Sequence, residues 1–167
     1  GASICGCSKI IVIDIDDSKL LMAKELGATY TINAKKDSPI EAISGLSKGI
    51  GVDYSVDSAG RTETIEQAFQ SVRKNGGLCV FASHPSAGEK IRLDPYDLIC
   101  GKQIKGSWGG DSYPDRDIPR FAEFYRQGKL PIEKIVTHRY KLDQINDALC
   151  EFEAGGVGRA LINVISN

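Results

Sequence analysis

No apolar run in this 167-residue sequence approaches the roughly 20 residues needed to cross a bilayer, and the N-terminus has no basic region followed by a hydrophobic one. The chain therefore reads as soluble and cytoplasmic, with no membrane partner. Net charge is only -1, so no excess of positive charge recommends nucleic acid as a partner either. Cysteines number five, an odd count without a C-x-x-C pair. Cys5, Cys7, Cys79, Cys100 and Cys150 thus support neither a disulfide framework nor a zinc knuckle, and buried free thiols in a reducing compartment are expected. There are two histidines, His84 and His138, and neither has a cysteine or acid at ligand spacing. No Ser/His/Asp order or paired-carboxylate arrangement stands out, so no catalytic or metal-binding residue is assigned. A repeat of fixed period and a low-complexity linker are also missing.

What remains is a composition of 41% hydrophobic and 26% charged residues, which excludes disorder and suffices for one domain with a real core. The organising stretch is KIIVIDIDDSKLLMAKELGAT, Lys9 to Thr29. Ile10 to Ile13 is an unbroken β-branched run, predicted to be a strand buried on both faces, and it stops at Asp14. Asp17 and Ser18 can cap a following helix, which Gly27 can end in the left-handed conformation. In an open parallel sheet ligands bind at the carboxyl edge. An acid at the end of the second strand there accepts hydrogen bonds from a dinucleotide's adenosine ribose.

The rest alternates. Ala28 to Asn33 reads as a strand. Ser38-Pro39-Ile40-Glu41 is a capping box with proline at the first helical position, opening a surface helix that runs to Gly49. Val52 to Ala59 alternates as a strand broken by Gly60. Ile65, Ala68, Phe69 and Val72 form one apolar helix face before Gly76-Gly77. Leu78 to Ala82 is a compact strand, Pro85 to Lys90 a turn-rich loop, Tyr96 to Cys100 a short helix, and Gln103 to Trp108 a strand before Gly109-Gly110. Asp117 is placed to cap a helix with Phe121, Phe124 and Tyr125 that ends at Gly128. Ile135 to Tyr140 is predicted extended, Ile145 to Phe152 helical up to Gly155-Gly156, and Ala160 to Ile165 a last strand. Gly1 to Ser8 looks like the last turns of a helix. Strands alternating with helices throughout predict an α/β fold with a parallel, doubly wound sheet.

Asp14 with Lys19, AKELGAT (Ala23 to Thr29), GVDYSVDSAGR (Gly51 to Arg61), KGSWGG (Lys105 to Gly110), GKLPIEKIVTHRYKLDQINDAL (ending at Leu149) and GRALINV (Gly158 to Val164) occur in this order. Together they resemble the cofactor-binding domain and C-terminal tail of the medium-chain alcohol dehydrogenase family, most closely its zinc-dependent members, over nearly all of residues 1–167. The resemblance implies a Rossmann-type domain fragment lacking its first strand and its glycine-rich turn, the G-x-G-x-x-G that seats a pyrophosphate on a helix N-terminus. It implies NAD as cofactor, and zinc held by a domain outside this chain.

By that resemblance Asp14 and Lys19 hold the adenosine ribose, and the carboxylate, followed by Ile15, Asp16 and Asp17 with no arginine, favours NAD over NADP. Ser58, Ala59, Gly60 and Arg61 border the cofactor, Arg61 near the adenosine. Phe81, Ala82 and Ser83 line the nicotinamide side, Ser107 and Trp108 match a segment contacting the carboxamide, and Arg159 matches a pyrophosphate-binding arginine. Each has a plainer alternative: helix cap, core side chain, ordinary turn, surface arginine or, for Trp108, subunit interface.

The implied activity is hydride transfer between a small-molecule alcohol or carbonyl and NAD, in a homodimer or homotetramer. Two alternatives are a zinc-independent, NADPH-dependent reductase of the same superfamily and an inactive nucleotide-binding or oligomerising fragment. The resemblance carries one structural expectation as well. A first strand would lie between the strands at Ile10 and Val52, so without it those strands pair directly, admit another segment, or form a sheet split in two.

Overall fold

The computed structural model describes residues 1–155 and 157–164, which form two compact units, Gly1–Ser112 and Tyr113–Asn167. In the first, successive turns over Gly1 to Gly6 lead into β1 (Ile11–Asp14), α1 (Asp17–Glu25), β2 (Tyr30–Asn33), α2 (Pro39–Leu46), β3 (Tyr54–Asp57), α3 (Thr62–Ser71), β4 (Leu78–Phe81), α4 (Pro95–Ile99) and β5 (Gln103–Gly106). The second has α5 (Pro114–Arg126), β6 (His138–Lys141), α6 (Ile145–Glu153) and β7 (Ala160–Asn163). Every strand pairing is parallel and joins strands consecutive in sequence: β1 with β2, β3 with β4 and β5, and β6 with β7. An α/β fold of parallel sheets is therefore what the sequence encodes. The sheet of the first unit is split in two between β1 and β3, the third of the arrangements expected.

The split shows in exposure. Ile13 is 41% exposed, so β1 is not buried on both faces as its sequence predicts, because β2 is its only strand neighbour among the described residues. On β3, Tyr54 and Val56 are 71% and 72% exposed, whereas Ser55 and Asp57 point to the α3 side, where the Ser55 hydroxyl donates to the Ala68 carbonyl at 2.8 Å. The core of this unit is the α3 face read from its periodicity. Ile65, Phe69 and Val72 are almost fully buried, and Phe69 and Val72 pack with Cys79 of β4, flanked by Val52, Ala68, Leu93 and Ile104.

Several local features differ from the pattern. Asp16, not Asp17 or Ser18, caps α1, accepting from the Ser18 amide, because Asp17 is bound instead to Lys36 and Asn33. Asp117 does not stand at the cap of α5. That helix begins at Pro114, whose fixed φ suits the first position, and Asp117 in its first turn accepts from the Tyr113 amide at 2.8 Å. Ile132–Ile135 is a 3-10 turn, so only the end of the predicted extended segment forms β6. Trp108 lies past the end of β5 and is 89% exposed. Among the cysteines, which are free thiols, Cys79 is buried and Cys100 half-buried, but Cys5, Cys7 and Cys150 are exposed, since turns and an outer helix face carry them. Gly156 and Ile165, expected as a helix end and a strand end, lie outside the described residues.

Candidate functional site

Three carboxylates cluster where β1 ends, and hydrogen bonding separates their roles. Asp16 accepts from both the amide and the hydroxyl of Ser18, at 2.8 and 2.7 Å, which holds its carboxyl below the usual carboxylate range. Asp17 is paired with the Lys36 ammonium at 2.7 Å and accepts from the Asn33 amide group at 2.7 Å, and is lowered likewise, chiefly by Lys36. Both are committed to local structure. Asp14 turns one oxygen back onto the chain, Oδ1 accepting from the Ile15 amide at 2.7 Å and the Asp16 amide at 3.0 Å. Its Oδ2 takes no hydrogen bond among the described residues, so a fixed, half-buried carboxylate presents one open acceptor at the strand's carboxyl end. Lys19 is exposed on the first turn of α1, and its charge contributes to lowering Asp16.

The carboxyl edge of the β3-β4-β5 sheet gathers most of the remaining candidates. The Ala82 amide donates to the Asp57 carbonyl at 2.9 Å, and the Ser83 hydroxyl donates to the Ser58 carbonyl at 2.9 Å. Gly60 has a φ of +70°, and a Cβ on it would stand 3.0 Å from Ser83 Cβ and 3.2 Å from the His84 carbonyl oxygen, so any other residue would be strained and crowded in this turn. The Ser107 amide donates to the Phe81 carbonyl at 2.9 Å. The Phe81 ring covers Gly106, approaching within 3.2 Å of where a side chain would begin. Ser58, Gly60, Phe81, Ala82, Ser83 and Ser107 thus form one continuous rim. Ala59 and Arg61 are exposed on it, and Arg61 Nε lies 3.6 Å from Glu63 in an open pair of little energetic weight. Asp14 and Lys19 sit at the equivalent edge of the other sheet of this unit.

Arg159 belongs to the second unit. Its backbone is held by Thr137, whose hydroxyl accepts from the Arg159 amide at 3.2 Å and whose amide donates to the Arg159 carbonyl at 3.1 Å. With Ile145, Leu149, Phe152 and Ile162 it lines an apolar hollow of about 260 Å³. Its side chain makes no ion pair among the described residues.

His84 Nδ1 lies 2.8 Å from the Pro85 carbonyl and His138 Nδ1 lies 2.9 Å from the Thr137 hydroxyl. No group of three or more His, Cys, Asp or Glu able to hold a metal occurs among the described residues, so none of them is assigned to zinc. A hollow of about 320 Å³ between α3 and the segment before α4, lined by Glu63, Glu66, Arg92, Asp94 and Asp97, contains none of the residues named from sequence.

Sequence reasoning overlooked Asp57. It is 6% exposed, closes β3, and its Oδ1 accepts from the Gly60 amide at 3.2 Å. The signal was present in Asp57-Ser-Ala-Gly60, a side chain able to bond its own backbone followed by glycine at turn spacing.

A family model described as zinc-binding dehydrogenase matches residues 1–127. The chain is 32% identical over 165 residues to the class-P alcohol dehydrogenase of Arabidopsis thaliana, covering 98% of this chain and 44% of that protein. It superposes on the crystal structure of benzyl alcohol dehydrogenase from Acinetobacter calcoaceticus with a TM-score of 0.92 at 34% identity, over 98% of this chain and 45% of that one. On a zinc-binding dehydrogenase of Sinorhizobium meliloti solved bound to NADP the TM-score is 0.86 at 27% identity, over 98% and 47% of the two chains. The chain therefore spans less than half the length of these relatives.

Proposed function

The chain belongs to the zinc-binding dehydrogenase family, and from that premise we propose that residues 1–167 are the NAD-binding part, with C-terminal tail, of an alcohol or polyol dehydrogenase. When bound, the nicotinamide would supply the hydride chemistry, its oxidised form as acceptor from an alcohol carbon and its reduced form as donor to a carbonyl. Zinc belongs, in this reading, to a part of the protein outside this chain.

The observation that carries the proposal is the Asp14 carboxylate. One oxygen is locked by the Ile15 and Asp16 amides and the other is open at the carboxyl end of a parallel strand. That oxygen accepts hydrogen bonds from vicinal ribose hydroxyls, and its charge, with Asp16 and Asp17 behind it, repels a 2′-phosphate. Lys19 reaches the same ribose. The Ser58–Arg61 turn and the rim of Phe81, Ala82, Ser83 and Ser107 border the rest of the cofactor. Arg159 meets the pyrophosphate, and Trp108 lies at the carboxamide end or under a second subunit. The protein works in the cytoplasm as a homodimer or homotetramer.

Fluorescence titration of the full-length protein with NADH and with NADPH, alongside alcohol-dependent reduction of NAD, tests this reading. NADH is expected to bind at least tenfold more tightly, about 1.4 kcal/mol. Preference for NADPH overturns the assignment of NAD as cofactor; the zinc-binding dehydrogenase of Sinorhizobium meliloti was solved bound to NADP.

A further inference from the structure

Asp57 is an acid at 6% exposure with no ion pair among the described residues, and its Oδ1 accepts a hydrogen bond from the Gly60 amide. A carboxylate is costly to bury and is retained where its hydrogen bonds shape something nearby. Here the amide it captures belongs to a residue in the left-handed region, wedged between the Ser83 side chain and the His84 carbonyl. The same two chain segments are tied by the bond from the Ser83 hydroxyl to the Ser58 carbonyl at 2.9 Å. The bond from the Ala82 amide to the Asp57 carbonyl, also 2.9 Å, joins them again. Asp57 holds the turn from below and Ser83 holds it from the side, while Ser58 and Ala59 remain exposed.

We propose that Asp57 is a positioning residue for the cofactor, forming with Ser83 a clasp that sets the Ser58–Gly60 turn against the end of β4. This rests on the NAD-binding reading above and extends it to a side chain that does not itself touch the ligand. The Ser83 hydroxyl, committed to the Ser58 carbonyl, acts within the clasp. The two rims that border opposite ends of the cofactor then move as one body.

The test uses the full-length enzyme and the variants Asp57→Ala, Asp57→Asn, Ser83→Ala and the Asp57→Ala/Ser83→Ala double. Asp57→Ala is expected to raise the NADH Kd and the KM for NAD about tenfold, the loss of one well-placed hydrogen bond, with kcat within about twofold. Asp57→Asn keeps the acceptor oxygen and is expected to restore affinity to within about threefold of wild type. The double variant is expected to be no worse than the weaker-binding single one, since both break one clasp. Wild-type affinity in folded Asp57→Ala overturns the proposal, as does failure of Asp57→Asn to rescue. Should Asp57→Ala not fold, Asp57→Val, which fills the buried space but offers the Gly60 amide no acceptor, decides: a raised Kd supports the clasp and an unchanged one overturns it. Wild-type protein that binds neither NADH nor NADPH overturns the cofactor reading and the positioning role with it, whereas wild-type binding with indifferent variants overturns the positioning role alone.

Discussion

The ammonium of Lys102 lies 3.2 Å from Asp97 Oδ2 with its side chain only 8% exposed, against 22% for Asp97, and it also donates to the Gln70 carbonyl at 2.9 Å. It stands 5.6 Å from the centroid of the Phe69 ring, so one charge joins the end of α3, the short α4 and the start of β5. Removing one partner of a buried pair leaves the other uncompensated. Lys102→Ala is expected to destabilise the protein by about 3 kcal/mol, read as a lower urea midpoint at unchanged m-value. Asp97→Asn, which keeps the bond to Gln70 and still offers the ammonium an amide oxygen in place of the carboxylate, should cost clearly less. Equal losses would show that the Gln70 bond carries none of the effect.

At Asp14 the expected change is in selectivity rather than stability. Asp14→Asn retains an oxygen for the Ile15 and Asp16 amides but removes the charge. The NADPH-to-NADH affinity ratio should rise by about tenfold or more, as expected for loss of a charge-assisted bond worth about 1.5–3 kcal/mol. Parallel titrations of the full-length variant with both cofactors measure it, and an unchanged ratio would remove Asp14 from the site.

The isolated chain is expected to bind NADH weakly. No G-x-G-x-x-G occurs in its 167 residues, so the backbone cradle that seats a pyrophosphate is not encoded in it. A saturable titration with a micromolar Kd, about -8 kcal/mol, would contradict this.

In the second unit, Tyr140 is buried and its hydroxyl donates to Glu151 Oε2 at 2.7 Å. That bond, then burial, pushes the phenol up from 10.0 to about 12. Because the folded value is the higher one, the associated stability is fully present below about pH 10 and is lost as pH rises through about 12. Tyrosinate absorbance should show one late-titrating phenol. Glu151→Gln, which removes the carboxylate, should bring it back toward the ordinary range.

Where side chains act through periodicity or backbone preference, the fold was legible in advance. Ile65, Phe69 and Val72 mark the core face of α3, and Ser38-Pro39 marks the start of α2. Where partners distant in sequence decide, it was not. β3 turns its apolar Tyr54 and Val56 outward because Ser55 and Asp57 bond to α3 and to the Gly60 turn. The cap of α1 passes to Asp16 because Lys36 and Asn33, beyond β2, engage Asp17. Of the site, the edge positions of Asp14, Gly60 and Ser83 follow from where apolar runs stop. The folding of Asp14 back on its own amides, and the role of Asp57, depend on turn geometry that no period encodes.

Among the described residues each strand pairs only with its neighbour in sequence across an intervening helix, and none forms a hairpin from which zipping could begin. The ladders are instead closed locally, each over its own crossover. Amide exchange in native conditions should therefore release protons in three separate groups, those of β1-β2, β3-β4-β5 and β6-β7, instead of in one cooperative opening.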